Sequence, residues 1–253
     1  MTILNHKILG EGKPLIILHG LFGSLDNWMT LGKKWSEYHR VILVDQRNHG
    51  NSFHADEFNY QILAEDLNQL MNHLKIDKAT IIGHSMGGKT AMTFAVEFPE
   101  KVEKLIIADI GPKSYPVHHH EIIKAFYSVP VDKLESRKEA DEILSKRIDD
   151  FGVRQFLLKN LSREKSGFEW KMNLDVISQK IEEVGKSLNQ NATFEKATLF
   201  IRGSKSDYVL DEDINMMHSI FKNCQLQTVE GAGHWLHAEK PKEFFEAVKH
   251  FLN

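Results

Sequence analysis

A short apolar run, Ala79-Thr80-Ile81-Ile82, feeds directly into Gly83-His84-Ser85-Met86-Gly87-Gly88, and a helical pattern follows. A strand, a Gly-x-Ser-x-Gly turn and a helix in that order leave few choices of fold. The turn is sharp enough to hold its serine in a strained backbone conformation. Residues two before and two after the serine then approach too closely for side chains, a steric reason for Gly83 and Gly87. The serine also lands at a helix N-terminus, where unpaired N–H groups favour developing negative charge. Serine is a weak nucleophile at neutral pH and has to be presented to a base. Ser85 is therefore the candidate nucleophile.

The rest of the chain repeats the strand-and-helix theme. Leu15-Ile16-Ile17-Leu18, Val41-Ile42-Leu43-Val44, Leu105-Ile106-Ile107 and Leu199-Phe200-Ile201 are continuous apolar runs. Such runs suit strands buried on both faces of a parallel sheet. Between them, Ile62, Leu63, Leu67, Leu70, Met71 and Leu74 share one helical face, as do Ala91, Phe94, Ala95 and Phe98 ahead of Pro99. Alternation of this kind predicts a doubly wound α/β fold with a mostly parallel central sheet flanked by helices. A last strand (225–229) and helix (242–251) close the chain.

The alternation stops between Gly111 and Leu188, where charge-rich stretches carry helical periodicity: Ile122, Ile123 and Phe126; Ile143, Leu144 and Ile148; Phe156, Leu157 and Leu161; Leu174, Ile177 and Ile181. A helical insertion at that point reads as a cap over the sheet's C-terminal edge. The expected division is a core of 1–111 and 189–253 with a helical cap of 112–188, inserted after the strand that ends at Asp109.

A nucleophilic serine on this scaffold requires an oxyanion hole, an acid and a histidine in fixed chain order. The amide following the nucleophile is that of Met86. A second donor is expected after an early strand, where His19-Gly20-Leu21-Phe22-Gly23 stands; Leu21 is assigned that role ahead of Phe22. The base is expected late, and Gly231-Ala232-Gly233-His234-Trp235 places His234 there. His237 competes, and His234-x-x-His237 has metal-ligand spacing, but no third ligand accompanies it. Two aspartates compete for the acid. One is Asp109, at the tip of an internal strand. The other is Asp207 in Arg202-Gly203-Ser204-Lys205-Ser206-Asp207, one residue beyond the usual Gly-x-x-Asp turn, with Ser206 in the expected place. Both precede His234, so chain order does not choose between them.

Composition bounds the partners. With 253 residues, 42% hydrophobic and 26% charged, the chain suits one large soluble domain or a core with an accessory one. A formal net charge of −3 gives no footprint for nucleic acid. No apolar run is long enough to span a bilayer, and residues 1–12 lack the apolar stretch of a secretory signal. The single cysteine, Cys224, cannot form an internal disulfide and fits a reducing cytoplasm. It has no local partners for nucleophilic work. Asp45, Arg47, Asn48 and His49 read as a structural turn, and His118-His119-His120 as a solvated helix start. Phe126, Phe151, Phe156 and Trp170 are candidates either for an acyl pocket or for cap core.

These segments together resemble the α/β-hydrolase superfamily and, within it, the YbfF-type bacterial esterases and their mitochondrial relatives. The resemblance runs nearly the whole length: HGLFGSLDNW from His19, DQRNHGNS from Asp45, IDKATIIGHSMGGK from Ile76, ADIGPKSY from Ala108, VRQFLLKNL and EWKMN in the cap, then GSKSDYV and GAGHWLHAEKP. It implies an esterase with a Ser–His–Asp triad, a helical cap, no cofactor and no metal. It carries the acid to Asp109, because that group has Asn-Ser-x-Tyr at the later position. Asp207 is where this chain departs from that pattern. The implied reaction is hydrolysis of a small acyl ester or thioester; C–C bond hydrolysis on the same scaffold and non-enzymatic ligand sensing are the alternative classes.

Overall fold

A computed structural model describes residues 2–165, 167–189 and 191–253; Met1 and Gln190, assigned above to the core, and Ser166, assigned to the cap, lie outside them. The strands are β1 (His6–Leu9), β2 (Lys13–Leu18), β3 (His39–Val44), β4 (Ala79–His84), β5 (Val102–Ala108), β6 (Leu161–Glu164), β7 (Gly167–Trp170), β8 (Thr198–Gly203) and β9 (Cys224–Val229). Among the described residues, seven form one sheet in the order β1-β3-β2-β4-β5-β8-β9. Only β1 runs antiparallel to its neighbour.

The apolar runs produce this sheet because each strand is buried on both faces. Ile16, Leu18, Ile42, Val44, Ile81, Leu105 and Ile107 meet Leu67, Leu70 and Phe94 of the helices Tyr60–His73 and Met86–Glu97 on one side. The intervening residues Leu15, Ile17, Val41, Leu43, Ile82, Ile106 and Ile201 meet Trp28, Trp35, Phe244 and Val248 on the other. Period-two alternation thus splits each strand between two cores, and each fully buried Leu or Ile stabilises the fold by roughly 1.5–3 kcal/mol. Parallel pairing places the C-terminal ends of β2, β3, β4, β5, β8 and β9 on one edge, where the loops of a doubly wound sheet gather ligands.

The segment between β5 and β8 holds the helices His120–Tyr127, Arg137–Leu144, Phe151–Leu158, Leu174–Gln179 and Ile181–Val184. It is not all helical: β6 and β7 form an antiparallel hairpin pairing Leu161 with Trp170 and Arg163 with Phe168. The sequence reading counts Leu161 in a helical face, but the chain leaves the helix after Leu158 and Leu161 opens strand β6, where the period is 2. Phe126, Leu144, Leu157, Leu161 and Ile177 make this segment's own core, which is continuous with Leu21, Phe22 and Met86. Its entry and exit segments are tied together by Tyr115 N–H to Gly185 O (2.8 Å) and Leu188 N–H to Pro112 O (2.8 Å). Asn160 Nδ2 donates to Phe22 O (2.7 Å), holding the insertion to the loop after β2.

Candidate active site

Ser85 follows β4, the central strand, with φ 53° and ψ −119°. That strained left-handed backbone sits in an otherwise unstrained stretch, as a tight strand-to-helix turn requires. A Cβ on Gly83 would collide with the carbonyl of Gly87, and one on Gly87 would sit 2.5 Å from the carbonyl oxygens of Leu18 and His19. The glycine spacing is thus steric. Ser85 N–H donates to Ala108 O (3.1 Å), which ties the elbow to the end of β5.

The next residue on that strand, Asp109, also has positive φ (51°) and is fully buried. Its carboxylate is saturated with donors. Oδ1 accepts from Gly203 N–H (3.0 Å). Oδ2 accepts from Ser206 Oγ–H and from His234 Nδ1–H (2.7 Å). With its proton on Nδ1, His234 has a bare Nε2, and this lies 3.0 Å from Ser85 Oγ. The structure therefore brings Ser85, His234 and Asp109 into one hydrogen-bonded line. Asp207 is exposed, and among the described residues no hydrogen bond joins its side chain to any of the three. Ser206, in the place where the usual acid is expected, instead hydrogen-bonds that acid's counterpart.

His234 is gripped on several sides. Tyr208 stacks on its ring (centroids 3.9 Å apart, planes 17° apart), and Trp235 meets it edge-on at 5.7 Å. Its backbone carbonyl accepts from Nε2–H of His84 (2.8 Å), the residue just before the serine. Burial first, then the neighbouring His237 and His234, drive the His84 pKa well below its ordinary value, so the ring is a neutral donor. The sequence reading missed His84 and Tyr208. The variable position of the elbow carries no signal by itself, whereas Tyr208 stood in the Asn-Ser-x-Tyr pattern.

His237 stacks face to face on Trp28 (4.3 Å, 10°) and leans on His84 (4.5 Å). These contacts brace the loop that carries His234. The loop after β3 braces as well: Asp45 accepts from Leu25 N–H (2.7 Å), Asn5 Nδ2 (2.8 Å) and Asn51 N–H (2.9 Å). Arg47 pairs with buried Asp66 (2.5 Å). Gln46 N–H donates to His19 Nε2 (3.0 Å), fixing the residue that opens the Gly20-Leu21-Phe22 turn. Among the described residues, the amides of Leu21, Phe22 and Met86 have no protein acceptor, so all three are free to serve an anion.

In front of Ser85 lies a cavity of about 300 Å³, bordered by Leu21, Phe22, Val153, Phe156, Leu157 and Trp235. Of the four aromatic candidates, only Phe156 reaches it. Phe126 is cap core, edge-on to Trp170 at 4.9 Å, and Phe151 is exposed. The triple histidine departs from its reading as a solvated helix start. His118 and His120 are exposed, but His119 caps the helix His120–Tyr127 and lines the cavity. The turn of the chain onto that helix points one histidine of the three inward. Among the described residues, no group of His, Cys, Asp or Glu is arranged to hold a metal ion.

A half-buried serine hydrogen-bonded to a histidine that in turn bonds a buried carboxylate, on a doubly wound sheet with an insertion after β5, defines a class. The chain belongs to the alpha/beta hydrolase fold family, whose profile matches residues 13–241, and it is a hydrolase. It is 36% identical to esterase YbfF of Escherichia coli over 96% of this chain and 94% of that protein. It is 37% identical to the mouse sn-1-specific diacylglycerol lipase ABHD11, over 94% of this chain and 80% of the lipase. A solved structure of a marine microorganism esterase superposes with a TM-score of 0.95 at 42% identity, covering 99% of this chain and 100% of that one. No helix among the described residues is long and apolar enough to cross a membrane.

Proposed function

We propose that the protein is a serine carboxylesterase, with Ser85 as nucleophile, His234 as general base and acid, and Asp109 as the group that orients the base. The observation that carries this reading is the relay from Asp109 Oδ2 through His234 to Ser85 Oγ, at 2.7 and 3.0 Å, opening on an apolar cavity. Esterase and lipase relatives favour ester carbonyls as the electrophile.

In this mechanism Ser85 Oγ attacks the ester carbonyl carbon while its proton passes to His234 Nε2. The carbonyl oxygen, now an oxyanion, is held by the amides of Leu21 and Met86, the latter at the N-terminus of the elbow helix. His234 returns the proton to the departing alkoxide, leaving an acyl-Ser85 ester. A water then gives its proton to the same Nε2, attacks the acyl carbon, and releases the carboxylic acid as Ser85 regains its proton. Asp109 keeps Nδ1 protonated throughout and stabilises the imidazolium. The chemistry uses protein groups alone. Residues 112–188 act as a lid over the acyl and alcohol groups, and the setting is the cytoplasm.

The test is turnover of 4-nitrophenyl esters from acetate to octanoate, with acyl-CoA thioesters in parallel. Ser85→Ala should abolish burst and turnover, and a fluorophosphonate should label Ser85 alone. Ester turnover that survives Ser85→Ala would sink the reading.

A further inference from the structure

The cavity wall holds one polar group that the proposed mechanism leaves unused. His119 reaches in from the insertion and borders two spaces at once. One is the 300 Å³ cavity; the other is a pocket of about 20 Å³ walled by Ser85, Met86 and Tyr208. Ser85 and Tyr208 border both spaces too, so His119 stands beside the reacting centre on the insertion's side. Its ring is packed edge-on against Phe22 at 6.1 Å.

The two ring nitrogens differ. Nδ1 is buried and has no hydrogen-bond partner among the described residues. Nε2 is not among the sealed, unpartnered ring nitrogens. A buried N–H without an acceptor is among the rarest defects in proteins, whereas a bare lone pair is tolerated better. The proton therefore belongs on Nε2, where it can find a partner. Burial, then the charges of His234, His118 and His120, lower the pKa to about 4, so the ring is neutral at physiological pH and donates one N–H. The cavity that the ring borders is lined by Ile122, Val153, Phe156 and Leu157 together with the polar groups of Asn27, His118, Tyr208 and His234, none of which hydrogen-bonds Nδ1 of the ring. A plain alkyl ester would occupy this space and leave the donor without an acceptor. A substrate oxygen at the right place would complete it.

We propose that His119 is a specificity residue that donates from Nε2 to an oxygen substituent near the scissile carbonyl. The favoured substrates are then hydroxy-, alkoxy- or oxo-substituted esters rather than plain alkyl ones. The inference rests on the serine-esterase reading and deepens it by naming a substrate class. A site built to hydrogen-bond a substrate oxygen rejects the analogue that lacks it, because the protein group is then left unpaired.

Isosteric pairs test this. 4-Nitrophenyl methoxyacetate and butyrate differ by oxygen for methylene in the acyl chain; 2-methoxyethyl acetate and butyl acetate differ likewise in the alcohol. For each pair the ratio of kcat/KM is measured in the wild type, His119→Phe and His119→Gln. Comparing ratios between proteins cancels the intrinsic reactivity of the ester and any general loss of rate. The oxygen-over-methylene ratio of one pair should fall about tenfold in His119→Phe and recover in His119→Gln, which keeps a donor. The pair that responds tells whether the oxygen lies on the acyl or the alcohol side. His119→Leu gives the same reading should phenylalanine crowd the cavity. Ratios within about twofold across all variants in both pairs would overturn the proposal. Turnover surviving Ser85→Ala would instead overturn the esterase reading beneath it.

Discussion

Replacing Asp109 by Asn is the sharpest test of the relay. The side chain is fully buried, so nothing else can take its place. Its three donors are Gly203 N–H on Oδ1, and Ser206 Oγ–H and His234 Nδ1–H on Oδ2. Asn offers one oxygen and one NH₂. If the oxygen stays on Gly203, the NH₂ faces His234 and Ser206. His234 must then present a bare Nδ1 and carry its proton on Nε2, aimed at Ser85 Oγ. A protonated Nε2 cannot accept the serine proton. The opposite orientation sets the NH₂ against Gly203 N–H, two donors in a buried place, at about 1–3 kcal/mol. The first arrangement therefore dominates, and the base is held in the wrong tautomer. Loss of a triad acid in this way lowers kcat on the order of 10⁴-fold, or about 5.5 kcal/mol of barrier. The assay is kcat on 4-nitrophenyl butyrate, with thermal unfolding to show that the variant is folded. Asp207→Asn is the control. Because Asp207 is exposed and makes no hydrogen bond to the relay, its loss should change kcat less than about twofold. A folded Asp109→Asn with near-normal turnover, or an Asp207→Asn that loses as much, would refute the assignment.

Other perturbations follow from the same contacts. His84→Leu removes the donor on the His234 carbonyl and should lower kcat by roughly 10–100-fold with little change in KM, while His84→Gln, which keeps a donor near Nε2, recovers part of it. Gly87→Ala drives a Cβ to 2.5 Å from two backbone oxygens and should cost about 3 kcal/mol in urea unfolding. Lys89, buried in the elbow helix, donates to Lys113 O and Lys186 O (3.0 Å), on the two chain segments that lead into and out of the insertion. Burial, then nearby Lys113, lower its pKa from 10.5 to about 7. Between those pH values the unfolded chain binds more protons, so stability rises with pH from 7 towards 10.5 and is lost as pH falls back through 7. Lys89→Met should erase that rise, worth at most about 2 kcal/mol between pH 7 and 9 by chemical denaturation.

Most of the parallel sheet was legible because a strand buried on both faces has no polar side to dilute its signal. β1 escaped for the converse reason: His6 to Leu9 is a four-residue edge strand with its middle residues in water. The hairpin β6–β7 escaped because Leu161-Ser162-Arg163-Glu164 and Gly167-Phe168-Glu169-Trp170 are each too short to separate a period of 2 from one of 3.6. In the site, Ser85 and His234 stood out by their glycine-flanked spacing, while Asp109 was preferred to Asp207 only through the resemblance; Ser85 and Asp109 directly follow strands, and His234 lies in the loop beyond β9. His84 and Tyr208 were not legible, because what they do depends on a partner 150 and 26 residues away in sequence.

The two aspartates show why the acid was the hard part. Asp109 and Asp207 follow the neighbouring parallel strands β5 and β8, whose ends lie side by side; Asp109 N–H donates to Ile201 O (2.8 Å) across that gap. An acid on either strand could therefore serve a histidine arriving from beyond β9. What decides is which way each side chain faces. Past the end of β8 the turn closed by Ser206 N–H to Gly203 O (3.1 Å) delivers the Ser206 hydroxyl to Asp109, whereas Asp207 is exposed. The inward position on β8 thus holds a hydroxyl, and the carboxylate must come from β5. The hydroxyl is not idle there: it donates to the same Oδ2 that receives His234, and accepts from Tyr208 N–H (3.3 Å), which seats the tyrosine ring on the histidine. Ser206→Ala would therefore loosen both the acid and the stacking face of the base, whereas moving the acid back by Ser206→Asp would set two buried carboxylates against one imidazole. One of the pair would have to take up a proton, so a second acid at this site cannot substitute for Asp109 without first removing it.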